Sequence, residues 1–161
     1  MRIRELSEAD LTAIVDIQTK TPQAAQWIER DYTTLARDPL GLVLVAEVDT
    51  TIPPEIVGFA AFHRVLDEAE LRNISVDPAY QRQGVGRELL AAARPRLLAE
   101  GVRHVYLDVR ASNVSAQQLY YSAGFVLNTR RKDYYNNPAE DALLLRLDLS
   151  SPLEPSGTSL D

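Results

Sequence analysis

The amino-acid sequence predicts one mixed α/β sheet with helices packed against it. Three observations carry that expectation. Short runs rich in Val, Ile and Leu, bounded by Asp, Pro and Gly, recur along the chain at strand length. Other segments, such as 87–100 and 114–123, space their apolar residues at the helical period instead. The two kinds interleave along the chain, which is the order expected when helices cover a sheet.

In chain order, residues 2–6 alternate polar and apolar, as a half-buried strand does. Ser7 followed by Glu8 and Asp10 starts a helix with acids in its first turn, carrying Leu11, Ile14, Val15 and Gln18. A second helix is expected over 22–37, around Trp27, stopped by Asp38-Pro39-Leu40-Gly41. Strands follow at 42–48, 56–65 and 70–76, separated by turns at 49–54 and at Leu66-Asp67-Glu68. A glycine-containing loop over 79–86 leads into a helix over 87–100, where Pro95 removes one backbone donor and predicts a kink. Gly101 ends that helix, and 105–109 is the next strand. A helix over 114–123 ends at Gly124, and strands at 125–131 and 142–149 complete a domain spanning 1–149. Residues 150–161 hold two prolines, a glycine and four serines, and read as a flexible tail.

Composition narrows the function classes. The 161 residues are 45 % apolar and 25 % charged, a balance that excludes a wholly disordered chain. No apolar run approaches the ~20 residues of a membrane span. Met1-Arg2-Ile3-Arg4 opens straight into alternating sequence, so no secretory signal is expected. With no cysteine, disulfides, thiolate metal sites and cysteine nucleophiles are excluded, and the cytoplasm is the expected compartment. A net charge of −6 disfavours nucleic acid as a partner and favours a basic substrate, such as an amine or a basic protein tail. His63 and His104 show no metal-ligand spacing and read as structural; no metal is expected.

The segment Gln81-Arg82-Gln83-Gly84-Val85-Gly86-Arg87 stands between a strand and a helix. Its glycines let backbone approach a ligand, and the helix start supplies free N–H groups and the positive dipole end, a combination suited to a pyrophosphate. A turn needed only for chain geometry would look the same. Asp108, twenty-two residues beyond Gly86, raises a dinucleotide-binding reading. Leu89 stands in place of the third glycine, however, and no Gly-Lys-Ser/Thr is present for a P-loop.

These residues resemble the GNAT superfamily of N-acetyltransferases, whose acetyl-coenzyme A pyrophosphate motif Gln81-x-x-Gly84-x-Gly86 matches. The resemblance is nearest to the RimI-type ribosomal-protein alanine N-acetyltransferases. Asn73-Ile74-Ser75-Val76-Asp77-Pro78, Val109-Arg110-Ala111-Ser112-Asn113, Leu119-Tyr120, Gly124-Phe125, Arg131, Tyr134-Tyr135 and Glu140-Asp141-Ala142 all look like that group. The resemblance implies a single domain with a mixed, mostly antiparallel twisted sheet, splayed in a V between strands 4 and 5 to admit pantetheine. It further implies transfer of acetyl from acetyl-coenzyme A to an amine by direct attack in a ternary complex.

Residue by residue, the resemblance assigns cofactor binding to Ile74, Ser75 and Val76, whose main chain would pair with the pantetheine arm. It assigns the pyrophosphate to the backbone of Gln81, Arg82, Gln83, Gly84, Val85, Gly86 and Arg87. Asn113 also falls at a cofactor position, though it equally suits an N-cap. Tyr120, seven residues on and on the same helical face as Asn113, is implied as the general acid for the leaving thiolate. Packing against the sheet is its simpler role, and Tyr121 is expected to pack there too. Asp108 stands where the family's general base is usually a glutamate; Glu70 on the neighbouring strand is the alternative base, and an ion pair with Arg110 or Arg72 is the alternative role for Asp108. Trp27, Glu70, Arg131, Tyr134 and Tyr135 are the expected substrate wall, Trp27 being what remains here of the group's Pro-Trp-Ser element. The expected acceptor is a protein N-terminus, a ribosomal protein being the candidate that the resemblance implies, and the expected state is a monomer or weak dimer. A small-molecule amine acetyltransferase and a non-catalytic acyl-coenzyme A binding module are the rival readings.

Overall fold

The computed structural model describes residues 1–149; the tail expected over 150–161 lies outside the described residues. The strands are β1 (Arg2–Glu5), β2 (Gly41–Val48), β3 (Glu55–Val65), β4 (Glu68–Val76), β5 (His104–Arg110), β6 (Val126–Tyr135) and β7 (Glu140–Asp148). The helices are α1 (Leu11–Thr19), α2 (Glu29–Arg37), α3 (Val85–Ala99) and α4 (Val114–Ser122), with single turns at Glu8–Asp10 and Pro78–Tyr80. One seven-stranded sheet has the order β1-β2-β3-β4-β5-β7-β6. Its neighbours run antiparallel except β4 and β5, which are parallel and joined through α3.

Strand alternation sorts the core onto two faces. Val43, Val45, Phe59 and Ala61 pack under Ile14 and Ile17 of α1 and Tyr32 and Leu35 of α2. Their neighbours Leu44, Ala46, Ala60 and Phe62 face the other way, onto Leu89, Ala93 and Leu97 of α3 and on to Leu107 and Leu145. Leu89 is fully buried, and cutting such a side chain to Ala costs about 2–5 kcal/mol.

A bulge resets this alternation in β4. Ala61 pairs with Asn73 and Phe62 with Leu71, leaving Arg72 as the extra residue. Before it, Ala69 and Leu71 face the α3 core; after it, Ile74 and Val76 do. Asn73 and Ser75 therefore turn to the α1 face, where they bond Tyr32 and Thr21.

The structure corrects several expected bounds. The helix expected over 22–37 forms only from Glu29. Ile28 is extended (φ −93°, ψ 165°) and its N–H donates to Asp31 Oδ2 at 2.9 Å, a cap that starts the helix there. Helix α3 begins at Val85, directly after a left-handed Gly84, and runs unbroken through Pro95. Strand β6 continues past Arg131 to Tyr135 across a register shift, with Asp133 at φ 52°.

Candidate active site

The β4–β5 ladder consists of Glu68↔His104, Ala69↔Val105 and Glu70↔Tyr106. Beyond those pairs, residues 71–76 of β4 and 107–110 of β5 continue without pairing to each other. The two strands stay bonded to their outer neighbours, through Gly58↔Val76 on one side and Arg110↔Ala142 on the other. The sheet is thus open at its centre, and each strand presents an unpaired edge of N–H and C=O groups to the gap.

Where the two strands are still paired and begin to part, a cleft of about 490 Å³ lies over them. Glu70 and Asp108 come together in its lining, with Glu68, His63 and Tyr106 at one side and Arg131, Tyr134 and Leu144 at the other. Asp108 is exposed. Neither arginine offered as its ion-pair partner takes that place. Arg110 bonds Glu140 at 3.2 Å and lies 4.2 Å over the Tyr135 ring, while Arg72 Nε stands 3.7 Å from Glu70.

Tyr120 lies on α4 with its ring buried, edge-on to Phe125 at 5.8 Å. Burial, with Tyr135 close by, pushes its phenol well above the ordinary value near 10. Burial raises Tyr135 as well, and the Asp108 carboxylate adds to the shift. Tyr135 lies against Arg110 at the end of β5, and Gln117 of α4 bonds the carbonyls of Arg110 and Ala111, so the helix that carries Tyr120 is tied to that same end. With its pKa raised, Tyr120 holds its proton at neutral pH. Tyr121, expected to pack beside it, is instead 44 % exposed.

At the start of α3 the first intrahelical bond runs from Glu88 N–H to the Gly84 carbonyl (3.0 Å), so the N–H groups of Val85, Gly86 and Arg87 precede the ladder. The loop before it is tied down by its own side chains. Asp77 caps Ala79 N–H at 2.9 Å, Gln81 Nε2 donates to the Val76 carbonyl at 3.1 Å, and Gln83 Nε2 to Ala79 at 3.3 Å. Arg82 is held at φ 62°. The two glycines have different tasks. Gly84 has φ 84° and nothing within 4 Å of where a Cβ would stand, so backbone there is open to a ligand. A Cβ on Gly86 would sit 2.9 Å from Leu119 Cδ2; its missing side chain makes room for α4.

Residues 3–125 match the Acetyltransferase (GNAT) family. The chain belongs to that family. The [ribosomal protein bS18]-alanine N-acetyltransferase of Escherichia coli K12 is 37 % identical over 150 residues, covering 92 % of this chain and 97 % of that protein. The enzyme of the same name from Haemophilus ducreyi is 37 % identical, covering 91 % and 99 %. The crystal structure of the E. coli ribosomal-protein-S18-alanine N-acetyltransferase superposes with a TM-score of 0.78 at 35 % identity, covering 99 % of this chain and 98 % of that one. The fold is shared at 24 % identity and a TM-score of 0.76 with yncA of Salmonella typhimurium, solved with its cofactor acetyl-CoA, covering 97 % and 98 %.

In this GNAT chain acetyl-coenzyme A is the co-substrate, and two features fit it: an open strand edge for an amide-bearing arm and an unobstructed helix start for phosphates. Asn113 serves as the N-cap of α4, its Oδ1 accepting Ala116 N–H at 3.2 Å. Trp27 packs on Tyr32, with ring centroids 5.0 Å apart, outside the cleft lining. Tyr135 stands edge-on to Tyr134 at 5.1 Å and Arg131 lies 5.3 Å over Tyr134, which makes the three one cluster. Among the described residues no group of three or more His, Asp or Glu is placed to hold a metal.

Sequence reasoning missed His63 as a cleft residue. The signal was present: a two-residue turn at Leu66-Asp67 pairs Val65 with Glu68 and His63 with Glu70. The structure adds that His63 Nε2 lies 3.2 Å from Asp38. Gln117 was missed as well; its Nε2 bonds the carbonyls of Arg110 (3.1 Å) and Ala111 (2.9 Å) and ties α4 to the end of β5.

Proposed function

We propose that this GNAT enzyme acetylates the N-terminal α-amine of a protein, with the N-terminal alanine of ribosomal protein bS18 as its acceptor. The observation that carries the reading is the open sheet centre, flanked by the start of α3, a protonated buried phenol and an acidic cleft. The acceptor rests on the relatives named for bS18 alanine, which match over nearly the whole chain.

Acetyl-coenzyme A supplies the acetyl group as a thioester. Backbone N–H groups from Gln81 to Arg87, with Gly84 leaving the approach clear, hold its pyrophosphate. The β4 edge from Ile74 through Ser75 to Val76 holds the amide-bearing arm as a neighbouring strand would, and the Val76 N–H faces the carbonyl oxygen where negative charge develops. Asp108, or Glu70 beside it, takes the proton of the amine, directly or through water. Tyr120 gives its proton to the leaving sulfur. The cluster of Arg131, Tyr134 and Tyr135 walls the acceptor peptide, with the segment that carries Trp27 farther out on the β4 side. An α-amine suits a short Asp108: with a pKa near 7.8, about a tenth of it is neutral at pH 7.

A peptide with the bS18 N-terminus and a free alanine amine tests the reading by mass spectrometry, beside the same peptide with that amine blocked and an internal lysine free. The free peptide is expected to react at least ~10²-fold faster. Equal labelling of the blocked peptide, or labelling of a polyamine alone, refutes the assignment.

A further inference from the structure

Residues 20–28, between α1 and α2, form only turns and irregular chain, yet side chains from three elements fix their backbone. Gln18 Nε2 of α1 donates to the Trp27 carbonyl at 2.6 Å. Asn73 Nδ2 of β4 donates to the Ala25 carbonyl at 3.0 Å and to the Tyr32 hydroxyl of α2 at 3.0 Å. The Tyr32 hydroxyl in turn donates to Gln18 Oε1, and Thr21 Oγ1 bonds Ser75 Oγ. Gln18, Tyr32 and Asn73 are 3 %, 0 % and 5 % exposed, so this is a closed polar network within an otherwise apolar layer.

We propose that Asn73, through Tyr32 and Gln18, is a positioning residue that fixes segment 20–28 as one wall of the acceptor site, in register with the thioester edge of β4. The proposal rests on the acceptor reading given above. Two observations carry it. The first is cost: polar groups taken out of water gain little over apolar packing, and what a fully satisfied network adds is a single conformation for the chain it grips. Here the gripped chain has no ladder or helix of its own. The second is placement. The Arg72 bulge turns Asn73 and Ser75 to the α1 face while Ile74 and Val76 between and beyond them lie along the open edge. The residues that hold the segment, Asn73 and Ser75, thus lie in or beside the stretch of β4 assigned to the cofactor arm. The segment crosses β4 on the sheet face that carries Glu70 and Asp108, so a shift in it changes the distance between acceptor and thioester. Its tie toward the phosphate loop, Lys20 Nζ to Asp77 Oδ2 at 3.5 Å, does not pass through Asn73, Tyr32 or Gln18.

Tyr32→Phe and Asn73→Ser test this together, the first removing one hydroxyl from a ring that stays packed on Phe59 and Trp27. Three measurements are made on each folded variant: hydrogen exchange of the segment, acetyl-coenzyme A affinity by calorimetry, and KM and kcat for the bS18 N-terminal peptide. Exchange over 20–28 is expected to rise at least tenfold with exchange in α3 unchanged. Peptide KM is expected to rise at least tenfold in Asn73→Ser and about threefold in Tyr32→Phe, with acetyl-coenzyme A affinity within twofold of wild type. A loosened segment with unchanged peptide KM, or a segment no looser than wild type, overturns the proposal while the wild-type reaction leaves the acceptor reading intact. A wild-type chain inert toward the peptide refutes the acceptor reading and this wall with it.

Discussion

Removing one oxygen from Tyr120 separates packing from chemistry at the centre of the site. The ring is 8 % exposed and sits edge-on to Phe125, and Phe in its place keeps both the volume and that contact. Stability should change by no more than about 1 kcal/mol, because a buried hydroxyl exchanged for hydrogen forfeits at most one hydrogen bond. Catalysis should respond far more. A leaving thiolate resembles a free thiol, with a pKa near 8.5, and must find a proton as the tetrahedral species collapses. A positioned acid contributes about 10²-fold or more, and 10² corresponds to about 2.7 kcal/mol of barrier. Burial raises the Tyr120 pKa, so the wild-type donor keeps its proton and its activity shows no loss from this group up to pH 10. Thiol release is a clean readout, since the chain contains no cysteine and a thiol reagent reports only free coenzyme A. Tyr120→Phe is therefore expected to lower kcat about 10²-fold at saturating substrates, with acetyl-coenzyme A affinity unchanged by calorimetry. A kcat within threefold of wild type refutes the acid role and leaves Tyr120 as packing.

Gly84→Val, strained by about 1–2 kcal/mol at φ 84° but clear of every neighbour, should weaken acetyl-coenzyme A binding at least tenfold by calorimetry. Gly86→Val should instead lower Tm, through about 1–3 kcal/mol of overpacking against Leu119. Asp108→Asn should depress kcat/KM for the free-amine peptide most at pH 6 and progressively less toward pH 9, where the amine deprotonates unaided; a larger loss in Glu70→Gln makes Glu70 the base. Asp10 is buried; desolvation raises its pKa, but the Arg4 guanidinium at 2.7 and 2.9 Å and Ser7 outweigh that and hold it below the usual carboxylate range. Its stabilisation is complete above the unfolded pKa near 3.9 and is lost as pH falls through the folded value. Asp10→Asn should cost about 2 kcal/mol in urea at pH 7, a difference that shrinks below pH 4.

What local pattern decides was legible in the sequence. Alternation locates the strands, the 3.6-residue period locates α3 and α4, and Gly84 in a strand-to-helix loop marks backbone that the structure leaves clear of every neighbour. Long-range contacts decided the rest. Trp27 at helical distance from its neighbours suggested a helix over 22–37, but the carbonyls of Ala25 and Trp27 are taken by Asn73 and Gln18, and no local signal announces a donor 48 residues away. The run from Glu70 to Val76 reads as one alternating strand, and only its pairing with β3 reveals Arg72 as an insertion that swaps the two faces. Gly84 and Gly86 look alike in sequence; Leu119, thirty-odd residues on, sets them apart.

The same long-range pairing explains why β4 and β5 part beyond Glu70↔Tyr106. Strand β4 is anchored to β3 as far as Gly58↔Val76, and Asp77 N–H extends that hold by donating to Val57 at 2.8 Å. Strand β5 is anchored to β7 as far as Arg110↔Ala142, where Ala111 N–H donates to Asp141 at 3.1 Å and Arg110 bonds Glu140. Each strand is fixed along its outer edge, so closing the gap would break ladders already made, each bond worth about 1 kcal/mol net. The inner edges keep backbone amides that no strand pairs, a preformed template whose best complement is a chain with alternating amide donors and acceptors. The pantetheine arm, with its two amides, has that chemistry. On the proposed reading the outer ladders pre-organise the cofactor site, and a variant that weakens β5–β7 pairing should loosen acetyl-coenzyme A binding without touching a residue assigned to it.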